Sequence, residues 1–230
     1  TLGVTGLNLG SFALNSLPTD MELNLCRVWS KETLPAEAVT LFNDGQPHKK
    51  RLLKNADISF EFYANNSTEL KGFDTSNFKA AGDISGTVAS TAILPSEDSA
   101  AQNQVELDAL LFTNGVLAFP SGNNLYPNAE FSIEMFVKLN DITTTSAPFV
   151  SSLGGAPQFV ILSSKIQIAP VGVANNIEFS AACMLNEWKH LIVSYDGAAH
   201  KVFLDGIEIS TTLIASNAYT QGVSGVNLGA

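Results

Sequence analysis

The sequence is short of positive charge: 12 Lys and Arg residues stand against 22 Asp and Glu residues, and the formal net charge is −10. Such an excess of negative charge repels phosphate backbones and anionic membrane surfaces, so nucleic acid is not expected as a partner. A run of about 18 apolar residues is also lacking, so no membrane-inserted segment is predicted. Only 15% of the residues are charged and 45% are apolar. This composition favours an extracellular, cell-surface or virion β protein over a cytosolic enzyme.

Cysteine is scarce as well. Cys26 and Cys183 each lie in an apolar stretch. Two buried thiols and one disulfide both fit these positions, and the sequence leaves the choice open.

What the sequence does contain is a repeated decapeptide. Residues 1–10 (TLGVTGLNLG) recur as residues 220–229 (TQGVSGVNLG), with seven of ten positions identical. The interval, 220 − 1 = 219 residues, is far longer than the roughly 20–50 residues of solenoid repeats. It corresponds to a whole domain plus a connector. The chain is therefore expected to be one period of a tandem array, or a permuted unit whose ends meet a neighbouring copy.

Short alternating or apolar runs separated by turn residues predict a protein made almost entirely of β-strands. A single helix is predicted at about residues 33–43, because Pro35 suits the first helical turn, Glu37 suits its positive end, and Asn43-Asp44-Gly45 supplies a stop. The predicted strands are 59–63, 131–139, 149–152, 158–162, 165–169, 176–180, 190–195, 201–204 and 207–211. Several lie about 8–12 residues apart, which is typical of a β-sandwich or jelly roll.

The most informative segment is NEWKHLIVSYDG at residues 186–197, followed by KVFLDGIEI at residues 201–209. Its two Asp-Gly pairs suit tight turns, so it predicts a three-stranded meander. The segment resembles the W-x-H…Y-D-G…V-x-L-D-G signature of laminin-G-like domains, which have a concanavalin A-like jelly-roll fold. The resemblance extends to residues 111–119 and 131–138, which are similar to the family's opening strands.

The resemblance covers the chain in an unexpected order. Residues 105–230 are similar to a jelly roll without its final strand, and residues 1–45 are similar to the missing closing strands and helix. Residues 46–104 are predicted to be a connector or a small β region, with a linker at 95–104. Two arrangements stay open. Residues 1–45 either end a preceding copy, or complete a sandwich with residues 105–230 of the same or a neighbouring chain, because an unfilled slot would expose a sheet edge.

The residues predict little chemistry beyond binding. Asp196 and Asp205 are foremost turn formers, and the resemblance leaves Ca²⁺ as the one cofactor to which they and Asp141 could contribute. Glucanases with this fold carry E-x-D-x-x-E on one strand, and the nearest string, residues 130–134, lacks the middle Asp. We therefore expect no enzymatic activity. Candidate glycan-contacting residues are Tyr126 with Asn123 and Asn124, in a predicted rim loop, and Tyr219.

These observations predict an all-β, concanavalin A-like jelly roll that serves as a non-enzymatic structural or adhesion module. Its partners are expected to be copies of itself or neighbouring repeats, joined through the terminal strands as in a fibre. The alternative is a glycan-binding, lectin-like module. The side chains expected to carry assembly are apolar residues of two strands: Leu23, Leu25, Val28, Trp29, Val223, Val226 and Leu228.

Overall fold

The computed structural model describes residues 20–42, 58–63, 83–93, 107–126, 129–151, 154–171 and 176–229. Fourteen strands and one α-helix account for most of these residues, which confirms the all-β class with a single short helix. The strands are β1 (Asp20–Trp29), β2 (Ile58–Tyr63), β3 (Asp83–Ile93), β4 (Leu107–Tyr126), β5 (Phe131–Leu139), β6 (Ser146–Ser151), β7 (Pro157–Leu162), β8 (Lys165–Pro170), β9 (Ile177–Ser180), β10 (Lys189–Tyr195), β11 (His200–Leu204), β12 (Ile207–Ile209), β13 (Thr212–Leu213) and β14 (Gly222–Leu228). The helix, α1, is Pro35–Phe42.

Hydrogen bonds connect the strands in the order β12-β11-β10-β5-β1-β4-β14-β6-β7-β8-β9-β13, while β2 pairs with β1 and β3 pairs with β4. The 20-residue strand β4 joins two halves of the fold. The first half, β12-β11-β10-β5-β1, pairs through β1 with the first part of β4, and the second half, β14-β6-β7-β8-β9-β13, pairs through β14 with its later part. The described pairs are antiparallel, as expected for a jelly roll in which each sheet has one face packed on a core.

One hydrophobic core lies between the two halves. On β5, alternate residues from Phe131 onward are buried in this core, because successive side chains of a strand point to opposite faces. From the other half, Phe149, Phe159 and Ile168 enter the same cluster. Burying each such side chain contributes about 1.5–3 kcal/mol, so this contact supplies most of the fold's apolar stabilisation.

Helix α1 covers the outer face of the first half. Its Ala38 and Leu41 pack in one buried cluster with Trp29, Ile192 and Phe203. The helix begins as the sequence predicts: the carboxylate of Glu37 accepts a hydrogen bond from the backbone N–H of Leu34 at 3.0 Å. This contact satisfies one of the backbone donors that the first turn leaves unpaired. The predicted stop at residues 43–45 lies outside the described residues.

Strand β1 lies inside the sheet of its own chain. Val28 pairs with Ile133 of β5, and Met21 pairs with Phe112 of β4. The final strand that residues 105–230 lack is thus supplied here by residues 20–29 of the same chain. Donation to a neighbouring copy stays a prediction, as does the division of the chain into domains. The strands β2 and β3, from the predicted connector region, pair directly with β1 and β4, while the predicted linker at 95–104 lies outside the described residues.

The predicted meander is formed by β10, β11 and β12. Leu204 pairs with Ile207 across the two residues Asp205 and Gly206, whose φ angles are +51° and +77°. Positive φ at both central positions is typical of a type I′ hairpin turn, which is why an Asp-Gly pair occupies it.

Candidate functional site

An open cleft lies where the chain leaves the first half of the sandwich. Strand β12 ends at Ile209, and β13 pairs with β9 at the opposite end of the strand order, so Ser210 and Thr211 cross between the two halves. The ladder between β11 and β12 ends with Val202 and Ile209. The cleft has a volume of about 360 Å³, at the low end of the range for small-ligand sites. It is lined by His200, Lys201, Val202, Glu208, Ile209, Ser210 and Thr211.

The lining is mostly polar. It presents an imidazole and an ammonium group from β11, a carboxylate from β12, and two hydroxyls from the residues that follow β12. The ammonium of Lys201 also lies 3.8 Å from the carboxylate of Glu32. Donors and acceptors in close alternation suit a ligand rich in hydroxyl groups, because each hydroxyl both donates and accepts a hydrogen bond.

Aromatic rings support this cleft from behind. The rings of Tyr195 and His200 are 4.7 Å apart, and Tyr219 packs edge-on against Phe131 with centroids 5.0 Å apart. His200 Nε2 and the Tyr219 hydroxyl are 2.9 Å apart. Burial lowers the pKa of His200 to about 4, against a smaller opposing effect of Asp196. His200 is therefore neutral at pH 7, and the imidazole enters the cleft as a hydrogen-bonding group without a charge.

The structure separates the four predicted glycan-contacting residues. Tyr219 lies beside the cleft through its contact with His200. The predicted rim loop containing Asn123, Asn124 and Tyr126 is wrong: these residues belong to β4, and Gly222 of β14 pairs with Tyr126. The turn residues around them suggested a loop, but pairing with β14 holds the backbone extended.

The three predicted calcium ligands lie in different turns. Asp141 accepts hydrogen bonds from the backbone and hydroxyl of Thr143, and Asp196 accepts them from the backbone N–H groups of Ala198 and Ala199. Asp205 binds Lys189 Nζ at 2.9 Å. Asp196 lies in the turn that joins β10 to β11, whereas Asp205 comes directly after β11, at the opposite end of this hairpin. Among the described residues, no group of three or more His, Cys, Asp or Glu side chains is placed to hold a metal ion.

Six of the seven predicted assembly residues are core residues of this chain. Leu23, Leu25, Val28 and Trp29 of β1 are fully buried, and so are Val226 and Leu228 of β14. Of Val223 only the backbone is described, and it pairs with Asn124. The two cysteines are free, Cys26 in the core and Cys183 at the surface, so they form no disulfide with each other.

A buried charged cluster joins the three central strands, and the sequence did not reveal it. Arg27 Nη1 of β1 lies 3.2 Å from the Glu134 carboxylate of β5, and His190 Nε2 of β10 lies 3.0 Å from it. Trp29 Nε1 donates to the same carboxylate at 3.0 Å. Burial alone would raise the pKa of Glu134, but Arg27, with His190 and Trp29, lowers it to about 2. Because the ionised carboxylate only accepts hydrogen bonds, His190 Nε2 carries a proton.

This cluster also decides what Glu134 can do. The residue stands in the string nearest to the glucanase motif, yet its carboxylate is fully buried and held by three donors. His190 supplies one of these three contacts, from its Nε2 at 3.0 Å. The sequence offered no pattern that links Arg27, Glu134 and His190, which stand on three different strands. Their meeting depends on which strands are neighbours.

Comparison with known proteins agrees with this architecture. The profile of the family described as the concanavalin A-like lectin/glucanases superfamily, a laminin-G type, matches residues 112–230. No curated protein matches the chain. None of the helices in the described residues combines the length and apolar character that a membrane crossing requires.

Solved structures with a similar fold include the binding domain of botulinum neurotoxin DC in complex with rat synaptotagmin II. It is 17% identical, with a TM-score of 0.53 over 76% of this chain and 44% of that one. The same binding domain in complex with SialylT is 15% identical, with a TM-score of 0.50 over 74% of this chain and 43% of that one. The chain thus spans less than half the length of these structures, and at such identity the likeness concerns the fold.

Proposed function

Because the chain belongs to the concanavalin A-like lectin/glucanases superfamily, we propose that it is a non-enzymatic adhesion module that binds a glycan in the cleft between β11 and residues 208–211. The observation that carries this proposal is the polar lining of that cleft over an aromatic support. The module belongs to an extracellular, cell-surface or virion structure, in keeping with the acidic, weakly charged composition.

A sugar ring offers hydroxyls in several directions and an apolar face, and lectin sites meet it with a few fixed polar groups beside apolar surface. Here Lys201 and Glu208 supply charged hydrogen-bonding groups from adjacent strands, and neutral His200 is fixed by its contacts with Tyr195 and Tyr219. The botulinum binding domain described in complex with SialylT has a similar fold and lends support to a glycan as ligand.

The experiment is a glycan array probed with the chain and with Lys201→Ala. We expect wild-type binding to a subset of glycans and loss of that signal in Lys201→Ala, because the ammonium lines the cleft. The matched control is Lys165→Ala on β8, a lysine that pairs with Glu178 and does not line the cleft; its binding should equal wild type. Absence of wild-type binding, or equal binding by Lys201→Ala, would reject the site.

A calcium requirement is tested by repeating the array with EDTA. Because Asp141, Asp196 and Asp205 occupy separate turns, each with local hydrogen bonds, we expect binding to persist after chelation. Loss of binding in EDTA, restored by added Ca²⁺, would show that these aspartates or residues outside the described ranges hold the ion.

The second candidate function is assembly with other copies, as in a repeated fibre or decoration protein. It is favoured by the decapeptide that occurs twice at an interval of 219 residues and by the interior position of β1, a strand that the family pattern places after β14. A module joined to its neighbours in this way would present the glycan cleft many times along an array, and multivalency would raise its avidity.

A further inference from the structure

The positive charge of the cleft is already opposed by a carboxylate of the same chain. Of the residues that line the cleft, only Lys201 is cationic, because the imidazole of His200 is neutral at pH 7. The Lys201 ammonium lies 3.8 Å from the carboxylate of Glu32, and the two side chains are 35% and 30% exposed. A ligand that enters the cleft therefore meets this ammonium as half of an ion pair.

Hydrogen bonds to the sheet hold the backbone on both sides of Glu32. The carbonyl of the preceding residue accepts a hydrogen bond from Ser132 Oγ at 2.8 Å. The backbone N–H of Thr33 donates to Ser194 Oγ, also at 2.8 Å. Ser194 is the cross-strand partner of Lys201 in the ladder between β10 and β11. The two serines thus fix Glu32 beside Lys201.

A second carboxylate, that of Asp196, acts on the same ammonium. Asp196 lies in the turn between β10 and β11, where the backbone N–H groups of Ala199 and Ala198 lower its pKa. The charge of Lys201 lowers this pKa further, so the two groups attract each other across the end of the hairpin. Asp196 is therefore ionised at neutral pH, and two carboxylates oppose one ammonium.

The carboxylate of Glu208, by contrast, has no counterion. Glu208 lines the cleft from β12, and its side chain is exposed. Within the part of the chain that the structure describes, neither a cation nor a hydrogen-bond donor pairs with this carboxylate. Because Glu32 and Asp196 oppose Lys201, the charge left over in the cleft is negative. An anionic ligand is repelled there, and it also approaches a chain of net charge −10.

Sugar hydroxyls and anionic sugar groups differ in how they can use this lining. A hydroxyl donates a proton to Glu208 and accepts one from Lys201, since it has one O–H and two lone pairs. A carboxylate or a sulfate only accepts, so it has no use for Glu208 and must compete with Glu32 for the ammonium. Specificity then arises from an unfavourable contact with the rejected ligand as well as from favourable contacts with the accepted one.

We propose that the cleft selects uncharged glycans and rejects glycans that carry a carboxylate or a sulfate group, and that Glu208 determines this specificity. Like charges that face each other across a binding site cost affinity, and such a contact excludes the wrong partner. This inference rests on the glycan-binding function proposed above and names its ligand class.

The test uses matched pairs of array glycans that differ by one terminal sialic acid or by one sulfate group. Dissociation constants for both members of a pair are measured with wild type, Glu208→Gln and Glu187→Gln. Glutamine keeps the size of the side chain and an acceptor oxygen but carries no charge. Glu187→Gln is the matched control, because its glutamate is 67% exposed, pairs with Lys189 and does not line the cleft. Both variants change the net charge by the same amount.

Wild type should bind the neutral member of a pair about tenfold more tightly than the acidic member. Glu208→Gln should reduce this preference about fivefold, because one repelling charge is removed, while Glu187→Gln should keep it. Equal or tighter binding of the acidic member by wild type would overturn the selection, while loss of binding in Lys201→Ala would still support the glycan site. The same preference in all three proteins would show that Glu208 does not determine it. A wild type that binds no glycan would reject the glycan function and this inference together.

Discussion

Glu134 shows how a single carboxylate organises the centre of the first sheet. It accepts hydrogen bonds from Arg27 and Trp29 of β1 and from His190 of β10, so three neighbouring strands share one buried charge. Buried ion pairs gain little over apolar packing, but they are costly to break because the remaining charge has no partner. The cluster therefore makes the correct strand neighbours much more stable than a misplaced register.

Replacing Glu134 with Gln should lower the free energy of unfolding by about 3–5 kcal/mol, because Arg27 is left charged and buried. Urea denaturation measures this loss. Glu22→Gln is the matched control: Glu22 pairs with Lys138 across the same two strands, β1 and β5, but both side chains are partly exposed. Its cost should be about 1 kcal/mol or less. Equal losses in the two variants would contradict a structural role for the cluster.

The lowered pKa of His200 predicts that folding stability depends on pH in a defined range. Its pKa is lowered from 6.5 to about 4 in the folded chain, so the unfolded chain takes up a proton first as the pH falls. Stability should be unaffected by this residue above pH 6.5 and should decrease between pH 6.5 and 4, by on the order of 3 kcal/mol. His200→Gln should flatten this part of the curve in urea titrations. An unchanged slope in the variant would show that His200 is not responsible.

The buried carboxylate of Glu134 affects stability in a lower pH range. The folded pKa of Glu134 is depressed to about 2, so its stabilising effect is complete above the unfolded value near 4.5 and is lost as pH falls toward 2. Wild type and His200→Gln should therefore both lose stability below pH 4.5, whereas Glu134→Gln should lose less in that range.

At the scale of elements, the contact between α1 and the β11–β12 turn fixes the helix on the sheet. Gly206 has φ +77°, and a Cβ there would lie 3.1 Å from the Cα of Val39 and 3.2 Å from the Cβ of Phe42. The turn thus needs glycine both for its conformation and for the approach of the helix. The same turn leads into strand β12, whose Glu208 and Ile209 line the cleft.

Gly206→Ala should lower the free energy of unfolding by about 1–2 kcal/mol, because alanine is strained at positive φ and its methyl group meets the helix. Gly154→Ala is the control, since a Cβ there has no neighbour within 4 Å and its φ is not in the strained range. It should change stability by no more than about 0.5 kcal/mol. Thermal unfolding followed by circular dichroism distinguishes the two; equal melting temperatures would contradict the tight approach.

The elements differ in how far the sequence predicts them. Helix α1 follows from the proline and the glutamate in its first turn. The turn between β11 and β12 follows from the Asp205-Gly206 pair, which suits the positive φ angles found there. Strand β3 was not predicted, because its Gly, Ser, Thr and Ala residues carry a weak strand signal and its extended state depends on pairing with β4. The same pairing effect turned the loop predicted around Tyr126 into strand.

For the whole molecule, the sequence predicts the fold better than the site. The spaced signature around Trp188 and Tyr195 indicated the jelly roll, and the match to residues 112–230 confirms it. The cleft was missed because it arises where the ladder of β11 and β12 stops and the chain crosses to the other half. The Arg27–Glu134 contact joins residues 107 positions apart, so no local pattern could reveal it.

An NMR titration can show whether a glycan binds in the β11–β12 cleft. Backbone amide signals of the chain are followed while a glycan selected on the array is added. We expect saturable shifts at residues 200–202 and 208–211, with none at residues 122–126, which include the predicted glycan-contacting residues Asn123, Asn124 and Tyr126. Shifts at residues 122–126 with an unchanged spectrum at the cleft would contradict it.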